Sequence, residues 1–195
     1  MIKIYDDILD TSESDHVEQF LKDPRFPWFF VGSKNSSTVH QEYSQLDSDS
    51  NTRETTLLSH SFYLNGEQQS LNYKISDFIL DRFLSRSGVS FKGLTRSKAN
   101  LQFKSAELNR TNYTTPHVDS LSQHTVLIYY VNDSDGNTVI FDRELGQDKT
   151  EYTIIKEIEH KKGRFLLFDG KHYHAAKFSL LSDVRINVNY NILCM

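Results

Sequence analysis

The chain has 195 residues and a net charge of −4, with 37% hydrophobic and 25% charged residues: enough for one well-cored domain, too little for two, and a poor match for a disordered chain or a broad nucleic-acid footprint. No apolar run approaches the ~20 residues of a membrane span, and "MIKIYDDILD" lacks the basic and apolar regions of a signal peptide. The lone Cys194 excludes an internal disulfide framework and a thiolate-rich zinc site, so a reducing, cytoplasmic setting is expected.

In chain order, "TSESDHVEQFLKD" predicts a first helix, with Ser or Thr as N-cap and Val17, Phe20 and Leu21 at helical spacing. The polar, serine-rich stretch from Val31 to Thr56 reads as a long loop or irregular hairpin, either a surface excursion or a substrate lid. "FPWFF", before it, offers substrate contacts or core. "SLNYKISDFILDRFLSRSG" predicts a second helix that buries Leu71, Ile75, Phe78, Ile79 and Phe83 and ends near Gly88. Both helices are expected to pack on a sheet and carry no chemistry.

From Arg96 onward strand signals dominate: "KANLQFKS", "HTVLIYYVND", "NTVIFD", "EYTIIKEIEH", "GRFLLFDG", "HYHAAKF" and "VRINVNYNIL". "NDSDGN" and "EHKKG" are turn sequences between neighbours. Hairpin spacing without intervening helices predicts antiparallel closure, a sandwich or double-sheet barrel. One mainly β domain is expected, with helical support mostly in residues 1–90 and a β core over about residues 95–193.

The chemistry-bearing motif is "TTPHVDS". Pro116 restrains Thr115 to extended backbone, so His117 and Asp119, two apart, project from one face. A His-x-carboxylate spacing alone is unspecific, since "HQE" at His40 has the same form in the polar loop. Downstream, His174 in "FDGKHYHAAKF" completes two imidazoles and one carboxylate, the facial set that holds non-haem Fe(II); a zinc hydrolase uses the same donors. In "SDVRINVNYNIL", alternation places Arg185, Asn187, Asn189 and Asn191 on one face and Ile186, Val188, Tyr190 and Ile192 on the other. The polar row faces either solvent or a polar cavity. In a cavity, the planar guanidinium of Arg185 suits a carboxylate. The basic Lys92, Arg96 and Lys98 read as a solvated face, or as a phosphate-contact patch.

His117-Val-Asp119, His174 and Arg185 together resemble the signature of the Fe(II)/2-oxoglutarate-dependent dioxygenases. Within that superfamily the chain is most similar to the prolyl hydroxylase-like branch, including small phage and bacterial members. "HTVLIYYVNDSDGNTVIFD", "HKKGRFLLFDGKHYHAA" and "IKIYDDILD" each resemble segments of that branch, and the likeness covers Arg96 to Asn191 most clearly. It implies a double-stranded β-helix, or jelly roll, with His117, Asp119 and His174 as iron ligands and His172 as rival to His174. Arg185 is implied to bind the far carboxylate of 2-oxoglutarate, helped by Tyr130 and Thr138, with Asn189 a further cosubstrate-binding residue along the inner row. Tyr129, Asn191, Asn100 and Tyr113 are further pocket candidates. Fe(II), 2-oxoglutarate, O2 and ascorbate are the implied cofactors. The implied partner is a peptide, protein or small-molecule substrate and, by likeness to phage members, the setting is a bacterial host; a monomer is expected because no exposed apolar stripe stands out in the sequence. Two departures matter. Many procollagen-type prolyl hydroxylases carry lysine at the Arg185 position, and the nucleic-acid dealkylases carry a second arginine that "RINVNYN" lacks. The implied reaction is hydroxylation of a C–H bond in a prolyl or other residue, or in a free amino acid. A non-catalytic jelly-roll module and a zinc or manganese enzyme of cupin-like architecture are the competing readings.

Overall fold

The computed structural model describes residues 1–31, 49–53, 55–105, 108–148 and 151–194. Its elements are β1 (Ile2–Tyr5), α1 (Thr11–Lys22), β2 (Phe29–Val31), β3 (Leu57–Leu64), β4 (Glu67–Gln68), α2 (Tyr73–Ser87), β5 (Phe91–Phe103), β6 (Thr125–Tyr130), β7 (Thr138–Glu144), β8 (Ile154–Ile158), β9 (Phe165–Asp169), β10 (His172–Ala176) and β11 (Val184–Cys194). The larger sheet runs β1-β9-β6-β11-β5-β3-β2, with β4 paired to β3; the smaller runs β10-β7-β8. All strand pairs are antiparallel.

From β6 onward the chain passes between the sheets. β6, β9 and β11 lie in the larger, and β7, β8 and β10 in the smaller. The turns "NDSDGN" and "EHKKG" therefore link the two sheets instead of closing hairpins within one. The driving force is two-sided burial. Val126, Ile128 and Tyr130 of β6, with Leu166 and Phe168 of β9, meet Ile140 and Ile158 across the gap. The opposite face of the larger sheet, Leu127, Tyr129, Phe165, Leu167, Ile186, Val188, Tyr190 and Ile192, packs on the helices through Val17, Leu21, Ile75, Ile79 and Phe83. The architecture is a jelly roll with two supporting helices.

Sequence and structure differ at several points. The N-cap of α1 is Asp10, not Ser or Thr. Asp10 Oδ1 accepts from Glu13 N at 2.8 Å, and Glu13 Oε2 accepts from Asp10 N at 3.0 Å, a reciprocal capping box. Leu71 precedes α2 and is 90% exposed; the helix ends as expected at Gly88, whose φ of 72° is left-handed. Residues 57–68, assigned to no element from the sequence, form β3 and β4 around Asn65 (φ 53°) and Gly66 (φ 77°). "FPWFF" divides: Phe26 is buried, Trp28 donates its indole N–H to Leu21 O at 3.2 Å, and Phe29 and Phe30 stay exposed. Most of the polar stretch expected as a loop or lid, residues 32–48 with His40, lies outside the described residues. Among the described residues no helix is long and apolar enough to cross a membrane.

Candidate metal and anion site

Backbone pairing builds the first half of the site. His117 and His174 form an antiparallel bridge, His117 N donating to His174 O at 3.1 Å and His174 N to His117 O at 3.0 Å. This holds the ring centroids 4.7 Å apart. Asp119, two residues on and facing the same way, completes a group whose candidate ligand atoms all lie within 4.8 Å of one another. His117 Nδ1 lies 3.0 Å from Thr115 O, which fixes the proton on Nδ1 and leaves Nε2 a lone pair toward the group. His172 is separated from His174 by a register shift in β10, and its Nε2 lies 3.6 Å from Glu144 Oε1, outside the group.

Protonation favours a cation there. Burial, then the neighbouring His117, pushes His174 down to about 3, and burial also lowers His117. Burial alone would raise the Asp119 carboxyl, but Arg96 first, then both histidines and Lys98, carry it well below the ordinary carboxylate value. At neutral pH the group is two neutral imidazoles and one carboxylate, which fits a divalent metal. Arg96 Nη2 lies 2.8 Å from Asp119 Oδ1, and Asn189 Nδ2 donates to Asp119 Oδ2 at 2.8 Å, so the carboxylate is held from both sides.

The second half is a polar floor shared by β11 and β5. Arg185 pairs in register with Gln102, Asn187 with Asn100, Asn189 with Lys98 and Asn191 with Arg96. Arg185, Asn187, Asn189 and Asn191 are all buried, so the row faces the interior and not solvent. Arg185, 3% exposed, donates through Nε to Gly136 O at 2.6 Å, through Nη1 to Gln102 Oε1 at 3.2 Å and through Nη2 to Thr138 Oγ1 at 3.1 Å. Tyr130 Oη donates to the same Thr138 hydroxyl at 2.8 Å. Among the described residues no carboxylate pairs with Arg185, and burial lowers its guanidinium to about 10. A buried cation with three neutral partners and no carboxylate among the described residues suits an anion.

The structure thus brings His117, Asp119, His174, Arg185, Tyr130, Thr138, Asn189, Asn191 and Asn100 to one inner surface. Asn100 Nδ2 donates to Asn187 Oδ1 at 3.1 Å within it. Tyr129 is not there: one residue from Tyr130, it faces the helix-side core and packs on Phe165 with centroids 4.7 Å apart. Nor is Tyr113, which clusters with Val139, Phe141 and Ala175 on the other face of the smaller sheet and hydrogen-bonds the Asp49 carboxylate. Three residues at the site are not evident as site residues from the sequence. Arg96 is buried and Lys98 half-buried on the inner row of β5, not on a solvated face; Lys92 is exposed. The alternation "RSKANLQ", the same as in "RINVNYN", carries that signal. His160, inside the turn "EHKKG", is 1% exposed, its ring centroid 4.4 Å from that of Tyr130. Burial and then Arg185 keep its imidazole neutral.

No family model matches the sequence, and no curated protein matches it. Solved structures match in fold. A prolyl hydroxylase from Trichoplax adhaerens, in complex with a peptide fragment of the hypoxia inducible factor oxygen degradation domain, aligns with TM-score 0.57 at 15% identity, covering 99% of this chain and 83% of that one. A 2OG-Fe(II) oxygenase family oxidoreductase from Burkholderia pseudomallei aligns with TM-score 0.57 at 12% identity, over 98% and 84% of the two chains. HygX from Streptomyces hygroscopicus, with nickel, 2-oxoglutarate and hygromycin B bound, aligns with TM-score 0.60 at 9% identity, over 100% and 83%. The chain has the fold of the 2-oxoglutarate-Fe(II) oxygenase superfamily.

Proposed function

We propose that this protein is an Fe(II)- and 2-oxoglutarate-dependent oxygenase that hydroxylates a C–H bond in a peptide, protein or small-molecule substrate. One observation carries the reading: a buried arginine, Arg185, with no carboxylate partner among the described residues, on the same inner surface as a compact His–Asp–His group. A metal group alone would suit a hydrolase, and a buried arginine alone would suit any anion. Together they supply the two ends of a site for a metal-chelating dicarboxylate. Asn189, which holds Asp119, and Arg185 stand four residues apart in β11, about 13 Å along the strand.

His117, Asp119 and His174 would hold Fe(II) on one side and leave its other side open. Bound there with 2-oxoglutarate and O2, the iron supplies the oxidising power for hydroxylation, with succinate and CO2 as co-products. The chain supplies placement. Thr115 O orients His117 through Nδ1, and Arg96 and Asn189 fix both oxygens of Asp119. Arg185 and the Thr138 hydroxyl, the latter oriented by Tyr130, would bind the far carboxylate of 2-oxoglutarate. The apolar residues between the sheets, Ile128, Ile140 and Leu166, exclude water from that end. No general base is needed for this reaction. A prolyl hydroxylase in complex with a peptide fragment and a protein with hygromycin B bound share the fold, and a peptide or a small molecule as substrate suits the reading.

The test is turnover without substrate. Protein supplied with Fe(II), ascorbate and 2-oxoglutarate should consume O2 and release succinate. Asp119→Ala should abolish succinate release, and Zn(II) or Mn(II) should not replace Fe(II). Oxygen-independent turnover with zinc or manganese would replace this reading with that of a cupin-like metal enzyme.

A further inference from the structure

We infer that Lys98 is the substrate-recognition cation of this site, and that the substrate presents a carboxylate beside the metal group. The inference rests on the oxygenase reading above and narrows its substrate class. Lys98 is on the inner row of β5, paired in register with Asn189, the residue that holds Asp119, and flanked two residues either way by Arg96 and Asn100. On its other side it pairs with Ser61 of β3, which is exposed, so this part of the floor lies toward an open edge. Among the described residues Lys98 makes no hydrogen bond and no ion pair, although it is half-buried.

The charges at the site make that lack of a partner informative. Asp119 is the acidic residue of the group, and Arg96 pairs with it at 2.8 Å. A metal bound to Asp119 draws on the same carboxylate. Arg185 lies four register positions away, at the other end of the row, and would take the far carboxylate of 2-oxoglutarate. With 2-oxoglutarate bound, Arg96 and Arg185 each face a carboxylate, and the Lys98 ammonium is the cation of the row left without one among the described residues. Burial first, then the nearby Arg96, lowers Lys98 to about 8, partly offset by Asp119, so the ammonium stays charged at neutral pH. A half-buried lysine costs free energy unless something binds it, and methionine or leucine would fill the same volume without that cost. An incoming carboxylate recovers the cost at binding, and its amide isostere does not, so the lysine discriminates between them.

The experiment uses matched acid and amide probes: free glutamate against glutamine, aspartate against asparagine, and N-acetyl-Pro-Glu against N-acetyl-Pro-Gln. Binding is measured calorimetrically under anaerobic conditions with Fe(II) and saturating 2-oxoglutarate. The expected result is at least one acid binding about 10-fold or more tighter than its amide. Lys98→Met should erase that preference and Lys98→Arg retain part of it, while the affinity for 2-oxoglutarate itself stays within about twofold. Three results overturn the inference: no preference for acid anywhere in the panel, a preference that survives Lys98→Met, or a loss of 2-oxoglutarate affinity in Lys98→Met, which assigns Lys98 to the cosubstrate. If wild-type protein fails to bind 2-oxoglutarate, the oxygenase reading has failed. The Lys98 preference is then measured in an Arg185→Met background, where the two outcomes separate.

Discussion

Arg185 is where burial and charge conflict most openly. Its guanidinium is desolvated and held by a carbonyl, an amide oxygen and a hydroxyl, none of them charged. Replacing Arg185 with methionine removes the desolvation cost of a cation that has no carboxylate partner among the described residues, which offsets the loss of its three hydrogen bonds. Arg185→Met is therefore expected to leave the melting temperature unchanged or raise it, while weakening 2-oxoglutarate binding about 100-fold through lost charge-assisted hydrogen bonds. Scanning calorimetry and a 2-oxoglutarate titration on the same sample check both. A large loss of stability would mark Arg185 as structural. At this scale the sequence is partly legible. The residues proposed to hold the metal and cosubstrate stand in recognisable order, His117 and Asp119 before His174 before Arg185. Arg96 and Lys98 are harder to place, because their strand begins at Phe91 and the basic residues of its first half look like a solvated face. Tyr129 and Tyr130 show the limit of motif matching: adjacent aromatics point to opposite faces, and only the strand's register decides which is inside.

Elements hold these residues at their stations, and two turns matter most. In the link between β6 and β7, Asp135 accepts from Ser179 Oγ at 2.7 Å and from the backbone N–H groups of Leu180, Leu181 and Ser182. It thereby pins the segment that leads into β11. Gly136, next to it, offers its carbonyl to Arg185, and an added Cβ would fall 2.8 Å from Arg185 Cδ and 2.9 Å from Lys177 O. Gly136→Ala is expected to cost about 1–3 kcal/mol and to weaken 2-oxoglutarate binding by shifting Arg185. Urea denaturation with a binding titration reads both; unchanged binding would show that the turn does not position the arginine. On the helix side, hydrogen bonding to Arg86, with further help from Asp10 N and Arg82, outweighs burial and lowers the Glu13 carboxyl to about 2 from 4.5. A depressed acid contributes stability above its unfolded value and loses it as pH falls through the folded one, here from 4.5 toward about 2. The wild type should lose stability over that window by more than Glu13→Gln does, as denaturant midpoints at about pH 3 and pH 6 would show. Equal losses would remove Glu13 from the acid response. The helices themselves are legible from apolar spacing, but the cap is not. Asp10 lies just outside the polar run, and the Asp10–Glu13 pair is recognised only as a reciprocal unit.

For the molecule as a whole, the strands are easier to read than their arrangement. Alternation and turn residues mark β6 to β11 individually, yet "NDSDGN" and "EHKKG" have the length of hairpin turns and instead carry the chain from one sheet to the other. That choice is tertiary. It depends on Val126, Ile128 and Leu166 finding Ile140 and Ile158 across the gap, a match no local pattern contains. The hairpin at Asn65-Gly66 is legible in principle from its turn pair, and its strand β3 widens the larger sheet beyond β5. The result is a polar row confined to β11 and β5 between two apolar layers, with the His–Asp–His group and Arg185 at separate stations along it. The central claim is that these two stations form one site. The most direct measurement is an anaerobic Fe(II) titration with and without 2-oxoglutarate, followed by the visible charge-transfer band of the chelated iron. The account predicts a band that needs both components, is abolished in Asp119→Ala and is strongly weakened in Arg185→Met. No band in the wild type, with tight zinc binding or no metal binding instead, would contradict it.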